Sequence, residues 1–352
     1  MIREPLNVAL IGYGLAGRVF HAPLVRATPG LHLHSVVSSR IPEISASHPA
    51  ARICAQATEV LADPAIDLVV VATPNDTHAP LARAALRAGK HVVVDKPFAL
   101  DLEQARALVA EARDRGKVLS VFHNRRWDAD FLTLRALLDS GALGEVAELH
   151  SHFDRFRPLV PDRWRDREGP GAGLWYDLGP HLADQVLQLF GAPLAVYADL
   201  GLQREGATAV DYFHVQLRYA RLRVLLHGGS LVPGHGLRFA VHGSAGSWIK
   251  HGLDPQEDAL RAGLRPGPGD WGRDPRPGSL LRVDADGTVA ADADAAAMAG
   301  DWPAYYAGVR DAIVHGTAPP VTADSALLAQ AVLEAALESA AGGREVAFGF
   351  AG

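Results

Sequence analysis

The chain has 352 residues, 48% of them hydrophobic and 21% charged, with a formal net charge of −6. That length calls for two domains rather than one core, and the composition is that of a soluble globular protein. The charge, spread without basic runs, speaks against nucleic acid as the main partner, and no apolar stretch is long enough to span a membrane.

The N-terminal Met1-Ile2-Arg3-Glu4-Pro5 leads directly into strand-like residues and is read as carrying no signal peptide. The single cysteine, Cys54, excludes an internal disulfide and fits a reducing, cytoplasmic setting. No metal-ligand pattern is evident.

Leu6–Ile11 predicts a strand, and Gly12-Tyr13-Gly14-Leu15-Ala16-Gly17 follows at once, before helical spacing through Val19, Phe20, Leu24 and Val25. In that context Gly12 allows a tight turn, Gly14 lets the backbone approach a pyrophosphate, and Gly17 lets the helix pack close to the sheet. Tyr13 and Ala16 belong to the same predicted cofactor loop. The second strand, Leu31–Val37, ends in Ser38-Ser39-Arg40, with no carboxylate before Glu43. A carboxylate there selects NAD by binding the ribose 2′-hydroxyl. Two hydroxyls and a guanidinium suit a 2′-phosphate, so NADP(H) is favoured and NAD(H) is second.

Leu68–Ala72 predicts a third strand, stopped by Thr73-Pro74. Thr73, Pro74, Asn75 and His78 then stand where ligands of open α/β sheets bind, with Asn75 and His78 expected to offer polar atoms to a nicotinamide. Asn75-Asp76-Thr77 also reads as a helix cap. A helix over Ala79–Ala88 ends at Gly89, a strand over His91–Val94 runs into Asp95-Lys96-Pro97, and a helix over Leu102–Arg115 precedes a strand over Val118–Phe122. A lysine at a strand end can stabilise the alkoxide-like charge that builds on an oxygen during hydride transfer. Alternating strands and helices predict a doubly wound parallel sheet over residues 1–122.

His123-Asn124-Arg125-Arg126-Trp127 opens the second domain, residues 123–352. Asn124 and Arg125 are assigned to the cofactor and Arg126 and Trp127 to the substrate; ion pairing between domains is the other reading of the two arginines. A helix over Phe131–Leu138 and a strand over Val146–Phe153 follow. Trp175–Phe190 reads as a helix, in which Asp177-Leu178-Gly179-Pro180-His181 puts an acid and an imidazole one turn apart. If that helix begins near Asp177, the glycine and proline are tolerated in its first turn. The dipole then disfavours a charged His181, as a general base requires. A cap plus a core histidine is the plainer reading of the same residues; Gly171-Ala172-Gly173 tips it toward close ligand approach. Runs over Val196–Leu202, Val210–Tyr219, Leu222–Leu226, Leu237–His242 and Trp248–Lys250 predict a mostly antiparallel, open sheet in an α+β domain. Pro255–Asp274 reads as irregular, Ala304–His315 and Ser325–Ala340 as helices, and Glu345–Phe350 as a closing strand.

These motifs together resemble the Gfo/Idh/MocA oxidoreductases over essentially the whole chain. The resemblance rests on Gly12-x-Gly14-x-x-Gly17, Thr73-Pro74-Asn75 with His78, Asp95-Lys96-Pro97, and Gly173-x-x-x-Asp177-x-x-x-His181. Asp95 departs mildly from the glutamate usual in the third motif. Gly12 to Pro23 and His123 to Asp128 look like the branch of NADP-dependent inositol dehydrogenases. The resemblance implies that Lys96, Asp177 and His181 are catalytic, and that Trp164 and Arg165 lie against the cofactor with Asp95, Lys96 and Pro97. The substrate would be a cyclic polyol or sugar held by Tyr13, Lys96, Arg126, Trp127, Arg157, Asp177 and His181, at a site built from both domains. It also implies homodimers or homotetramers formed through the open face of the second sheet. An NAD-retaining glycosidase and a non-catalytic dinucleotide sensor are the alternatives the same fold offers.

Overall fold

A computed structural model describes residues 5–234, 236–267, 269–284, 286–292 and 297–350. The reading of Met1–Glu4 lies outside the described residues. No helix among those described is long and apolar enough to cross a membrane.

The first part of the chain alternates strands and helices. In order they are β1 (Leu6–Ile11), α1 (Ala22–Ala27), β2 (Leu31–Val37), α2 (Ile41–Ser47), β3 (Arg52–Cys54), α3 (Ala57–Leu61), β4 (Leu68–Val71), α4 (His78–Arg87), β5 (His91–Val94), α5 (Leu102–Asp114) and β6 (Leu119–Val121). β1 and β4 are buried along their whole length because both faces of a parallel sheet are covered. The strands run parallel in the order β3-β2-β1-β4-β5-β6. The order reverses between β1 and β4, the crevice where such sheets bind dinucleotides. The stretch from α2 to α3 carried no prediction. Its elements are short, and only Ile44, Cys54 and Val60 are buried within them.

The remaining elements are α6 (Ala129–Asp139), β7 (Val146–His152), α7 (Gly173–Phe190), β8 (Ala195–Gly201), β9 (Tyr212–Arg218), β10 (Arg223–Gly229), β11 (Leu237–Gly243), β12 (Gly246–His251), α8 (Gln256–Arg261), β13 (Ser279–Val283), β14 (Val289–Asp292), α9 (Pro303–His315), α10 (Ala323–Gly342) and β15 (Val346–Ala347). Nine strands form one sheet in the order β14-β13-β12-β11-β7-β10-β9-β8-β15. Every pairing in it is antiparallel except β7 with β10. Strand alternation sets its faces: Phe213, Val215 and Leu217 of β9 enter a core with Phe131 and Leu134 of α6, Trp175 and Leu182 of α7, and Val332 and Leu333 of α10. Trp175 is pinned there by an indole N–H donated to the Leu333 carbonyl at 3.2 Å.

Two compact units result: residues 1–124, 256–271 and 301–327, and residues 125–255, 272–300 and 328–352. The sequence reading placed all of 123–352 in the second domain. Aromatic packing explains the difference. Trp302, Tyr305 and Tyr306 are fully buried, Tyr305 meets Phe122 edge-on at 5.0 Å, and the Tyr305 hydroxyl donates to Ser120 Oγ at 3.0 Å. Within the stretch read as irregular, α8 supplies Gln256, whose Oε1 accepts the Trp271 indole N–H at 3.0 Å and the Trp302 amide at 2.8 Å.

Candidate active site

The glycine loop leaves β1 as the sequence suggests, and its glycines differ in kind. Gly12 has φ +100°, and a Cβ on it would lie 2.3 Å from the Ala72 carbonyl oxygen; one on Gly17 would lie 2.1 Å from the Gly12 oxygen. These two are demanded by the fold itself. Gly14 is exposed, and a Cβ there would meet nothing within 4 Å. The open space in front of Gly14 is the approach a pyrophosphate needs. The helix that follows begins with a π turn over Gly17–His21 before α1, rather than as uniform α-helix. Tyr13 is only 2% exposed, and its ring stands edge-on to His48 at 5.7 Å. Ala16 lies half-buried at the start of the π turn.

Ser38, Ser39 and Arg40 follow β2, and Ser38 Oγ accepts the Arg40 amide at 3.2 Å. The Arg40 guanidinium is exposed and pairs with Glu43 at 3.0 Å. Thr73 and Pro74 follow β4; Pro74 is exposed and Asn75 is buried. His78 was expected to reach toward a ligand. It is instead fully buried, with Nδ1 2.8 Å from the Pro97 oxygen and Nε2 3.0 Å from the Thr73 oxygen. It staples the loop after β4 to the loop after β5. Burial is the main cause of its lowered pKa, so a neutral ring donates to one of these carbonyls at a time.

Asp95 is buried at the end of β5, and its Oδ1 accepts the Lys96 amide at 2.9 Å. Lys96 is half-buried, Pro97 is buried, and the peptide between them is cis. Two residues that sequence reasoning passed over stand behind Asp95: His21, 3.7 Å away, and Tyr306, whose hydroxyl lies 2.7 Å from His21 Nδ1. Burial alone would raise the Asp95 pKa; His21, then Lys96 and His78, outweigh it and hold the carboxyl at about 2. The bulky apolar neighbours in Val19-Phe20-His21-Ala22 masked His21, and nothing local marks a tyrosine more than two hundred residues away.

In the second unit α7 begins at Gly173, not near Asp177, because Gly173 takes φ +88° with a Cβ site 3.0 Å from the Val210 oxygen. Gly173 is thus a requirement of the chain's path rather than a ligand opening. Asp177 and His181 fall in the helix interior on one face, and Pro180 sits inside the helix. His181 therefore stands away from the helix N-terminus and its dipole, and its 6% exposure gives the ring a dry setting instead. Gly179 has to be glycine, since a Cβ would stand 2.5 Å from the Trp175 ring.

Asp177 has guanidinium company. Arg165 Nε lies 4.0 Å from its Oδ1, and the same guanidinium stacks over Trp164 at 4.5 Å. Arg157 is half-buried; burial first, then Arg155 and Arg163, lower its pKa, while Asp177 acts in the opposite sense. This loop is shaped by another residue the sequence did not advertise. Arg204 is 8% exposed, donates to the carbonyls of Arg157 and Leu159, and pairs with Asp166 and Asp211.

Asn124 is buried at the head of the turn Asn124–Trp127, and Trp127 is half-buried at its end. Arg125 lies over the Phe153 ring at 4.6 Å and donates to Asp128 at 3.3 Å. Arg126, expected to hold substrate, makes a buried two-pronged pair with Asp184 of α7 at 2.8 and 2.6 Å. Its planar fork is committed to the interior.

A parallel sheet with this strand order, an open glycine cradle at its reversal, and a lysine at the end of β5 define a dinucleotide-dependent oxidoreductase. The chain belongs to the Gfo/Idh/MocA oxidoreductase family. Residues 6–123 match the family's NAD-binding Rossmann domain and residues 135–348 its C-terminal alpha/beta domain. It is 51% identical to the uncharacterized oxidoreductase YdgJ of Escherichia coli, over 96% of this chain and 97% of that one. It is 41% identical to the scyllo-inositol 2-dehydrogenase (NADP(+)) IolW of Bacillus subtilis, over 96% and 94%. A solved structure of the oxidoreductase yvaA from Bacillus subtilis superposes with a TM-score of 0.95 at 40% identity, over 98% of this chain and 99% of that one.

Proposed function

We propose that this chain is an NADP(H)-dependent dehydrogenase acting on a ring hydroxyl or ketone of a cyclic polyol or sugar of inositol type. The observation that carries the reading is the pairing of Asp177 and His181 one turn apart on α7, with His181 buried. The 41% identity to an inositol dehydrogenase supports the substrate class.

A bound nicotinamide supplies the site that accepts or returns hydride. Gly14 would let the backbone approach the pyrophosphate on the path that Gly12 and Gly17 fix, and Ser38, Ser39 and Arg40 would receive the ribose 2′-phosphate. Lys96 stabilises the negative charge that grows on the substrate oxygen. His181 takes the hydroxyl proton on oxidation and returns it on reduction. Asp177 orients the imidazole or the polyol, with its own charge steadied by Arg165.

NAD(H) is the second reading of the cofactor, because Glu43 offers a carboxylate 3.0 Å from Arg40. A panel of cyclic polyols and aldoses, followed at the reduced-nicotinamide absorbance band with each cofactor, tests both points. The reading predicts turnover of an inositol-type polyol with higher kcat/KM for NADP. Turnover of no polyol or sugar would overturn the substrate class, and equal or better kcat/KM with NAD would overturn the cofactor preference.

A further inference from the structure

The second sheet carries a group of imidazoles that the proposed reaction does not use. His152 ends β7, and His227 of β10 is its direct register partner. Asp154 follows two residues after His152. Its Oδ2 lies 3.4 Å from His152 Nδ1 and its Oδ1 lies 3.5 Å from His227 Nε2. One ligand atom from each residue falls within 4.8 Å of the other two.

The contact between His152 Nδ1 and Asp154 Oδ2 is a long hydrogen bond at 3.4 Å. Good N–H···O contacts are shorter, and His152 Nε2 is buried with no hydrogen-bond partner among the described residues. A tetrahedral ion with ligands at about 2.0–2.1 Å, in contrast, places its ligand atoms roughly 3.4 Å apart. The two separations run to different oxygens of Asp154, and one ligand atom from each residue already lies within 4.8 Å of the others. The His152 and His227 rings lie 4.8 Å apart between centroids, and a bound ion would draw the three ligand atoms in to that edge by side-chain rotation.

We propose that His152, Asp154 and His227 bind a first-row divalent transition ion of the Zn2+ class, with water in the fourth position. Two imidazoles and one carboxylate are the ligand chemistry such ions prefer over Mg2+ or Ca2+. The surroundings hold the ligands in place. The Gly229 amide donates to Asp154 Oδ1 at 3.0 Å. His214, opposite His227 in β9, has Nδ1 3.4 Å from His227 Nδ1. An ion on His227 Nε2 fixes the proton on Nδ1, which then points at His214 as a weak donor. His150 stacks parallel to His152 at 6.1 Å but pairs with Glu148, so it serves as a neighbouring control.

The test is zinc binding by the full chain after stripping with a chelator, read as bound Zn2+ following dialysis and as the shift in Tm. The expected result is about one Zn2+ per chain and a Tm raised by a few degrees. Both effects should vanish in His152→Gln and in His227→Gln and persist in His150→Gln and Cys54→Ala. Absence of bound zinc in the wild-type chain, or equal binding by His152→Gln and His227→Gln, would overturn the proposal. If His227→Gln does not fold, Co2+ in the wild-type chain decides. Intense visible bands of a four-coordinate nitrogen and oxygen site support the assignment, and the pale spectrum of the hydrated ion refutes it.

Discussion

His21 Nε2 stands 3.7 Å from Asp95 Oδ1, both side chains buried in the first unit. The Tyr306 hydroxyl, 2.7 Å from His21 Nδ1, closes the row. Burial, then Tyr305 and Asp95, push the Tyr306 pKa well above its usual value, so the phenol keeps its proton and donates it to Nδ1. The ring's other nitrogen then presents its N–H toward the carboxylate. Asp95 in turn receives the Lys96 amide. A three-residue row thus supports the backbone of the proposed catalytic lysine.

The row has a signature in acid. Asp95 is held at about 2 when folded, against about 3.9 in an unfolded chain. Its contribution is therefore fully present above about pH 5 and lost as pH falls from there through about 2, amounting to roughly 2–3 kcal/mol. His21→Leu should remove the chief partner, leave a buried carboxylate, and shift the acid-unfolding midpoint upward. Denaturant melts across that pH range check this; an unchanged midpoint in His21→Leu would contradict it.

Gly12 and Gly14 should separate fold from cofactor. Gly12→Ala forces a Cβ into the Ala72 carbonyl at positive φ, and should cost several kcal/mol, on the order of 3. Gly14→Ala meets open space, so Tm should hold while NADPH affinity falls about tenfold or more. Thermal melts and a cofactor fluorescence titration on the same two variants read the contrast. Equal loss of Tm in both would contradict it.

Arg126→Ala should act on stability. Removing it leaves Asp184 buried without its two-pronged partner, a loss of about 3–5 kcal/mol. Urea unfolding should record that loss. An unchanged unfolding curve with a raised KM for polyol would instead restore Arg126 to the substrate.

The sequence exposes what is local. Strands β1, β2 and β5 coincide with their predicted bounds because the buried Val, Leu and Ile residues of a parallel sheet covered on both faces dominate them. Short or exposed elements escaped: α2 and β3 have few buried residues, and β13 buries only Leu280. The start of α7 was misplaced because Gly179 and Pro180 read as breakers, whereas Gly173 makes the break. Side-chain commitments such as His78 to two carbonyls and Arg126 to Asp184 depend on long-range packing, so local pattern left them open to a ligand role.

Arg40 should govern cofactor choice. Removing a guanidinium that meets a 2′-phosphate should cost roughly tenfold or more in kcat/KM with NADP and little with NAD. Arg40→Ala, compared with wild type on one polyol and both cofactors, measures it. A ratio unmoved by the substitution would leave Arg40 as only a surface partner of Glu43.

In the proposed reaction His181 is the proton acceptor and Lys96 the stabiliser of the substrate oxygen. The most direct test is kcat of His181→Ala and Lys96→Ala on the best polyol, with NADPH binding titrated in the same preparations. Each variant should lose about a hundredfold or more in kcat, with NADPH affinity within about twofold of wild type. Near-normal kcat in either variant would contradict the account.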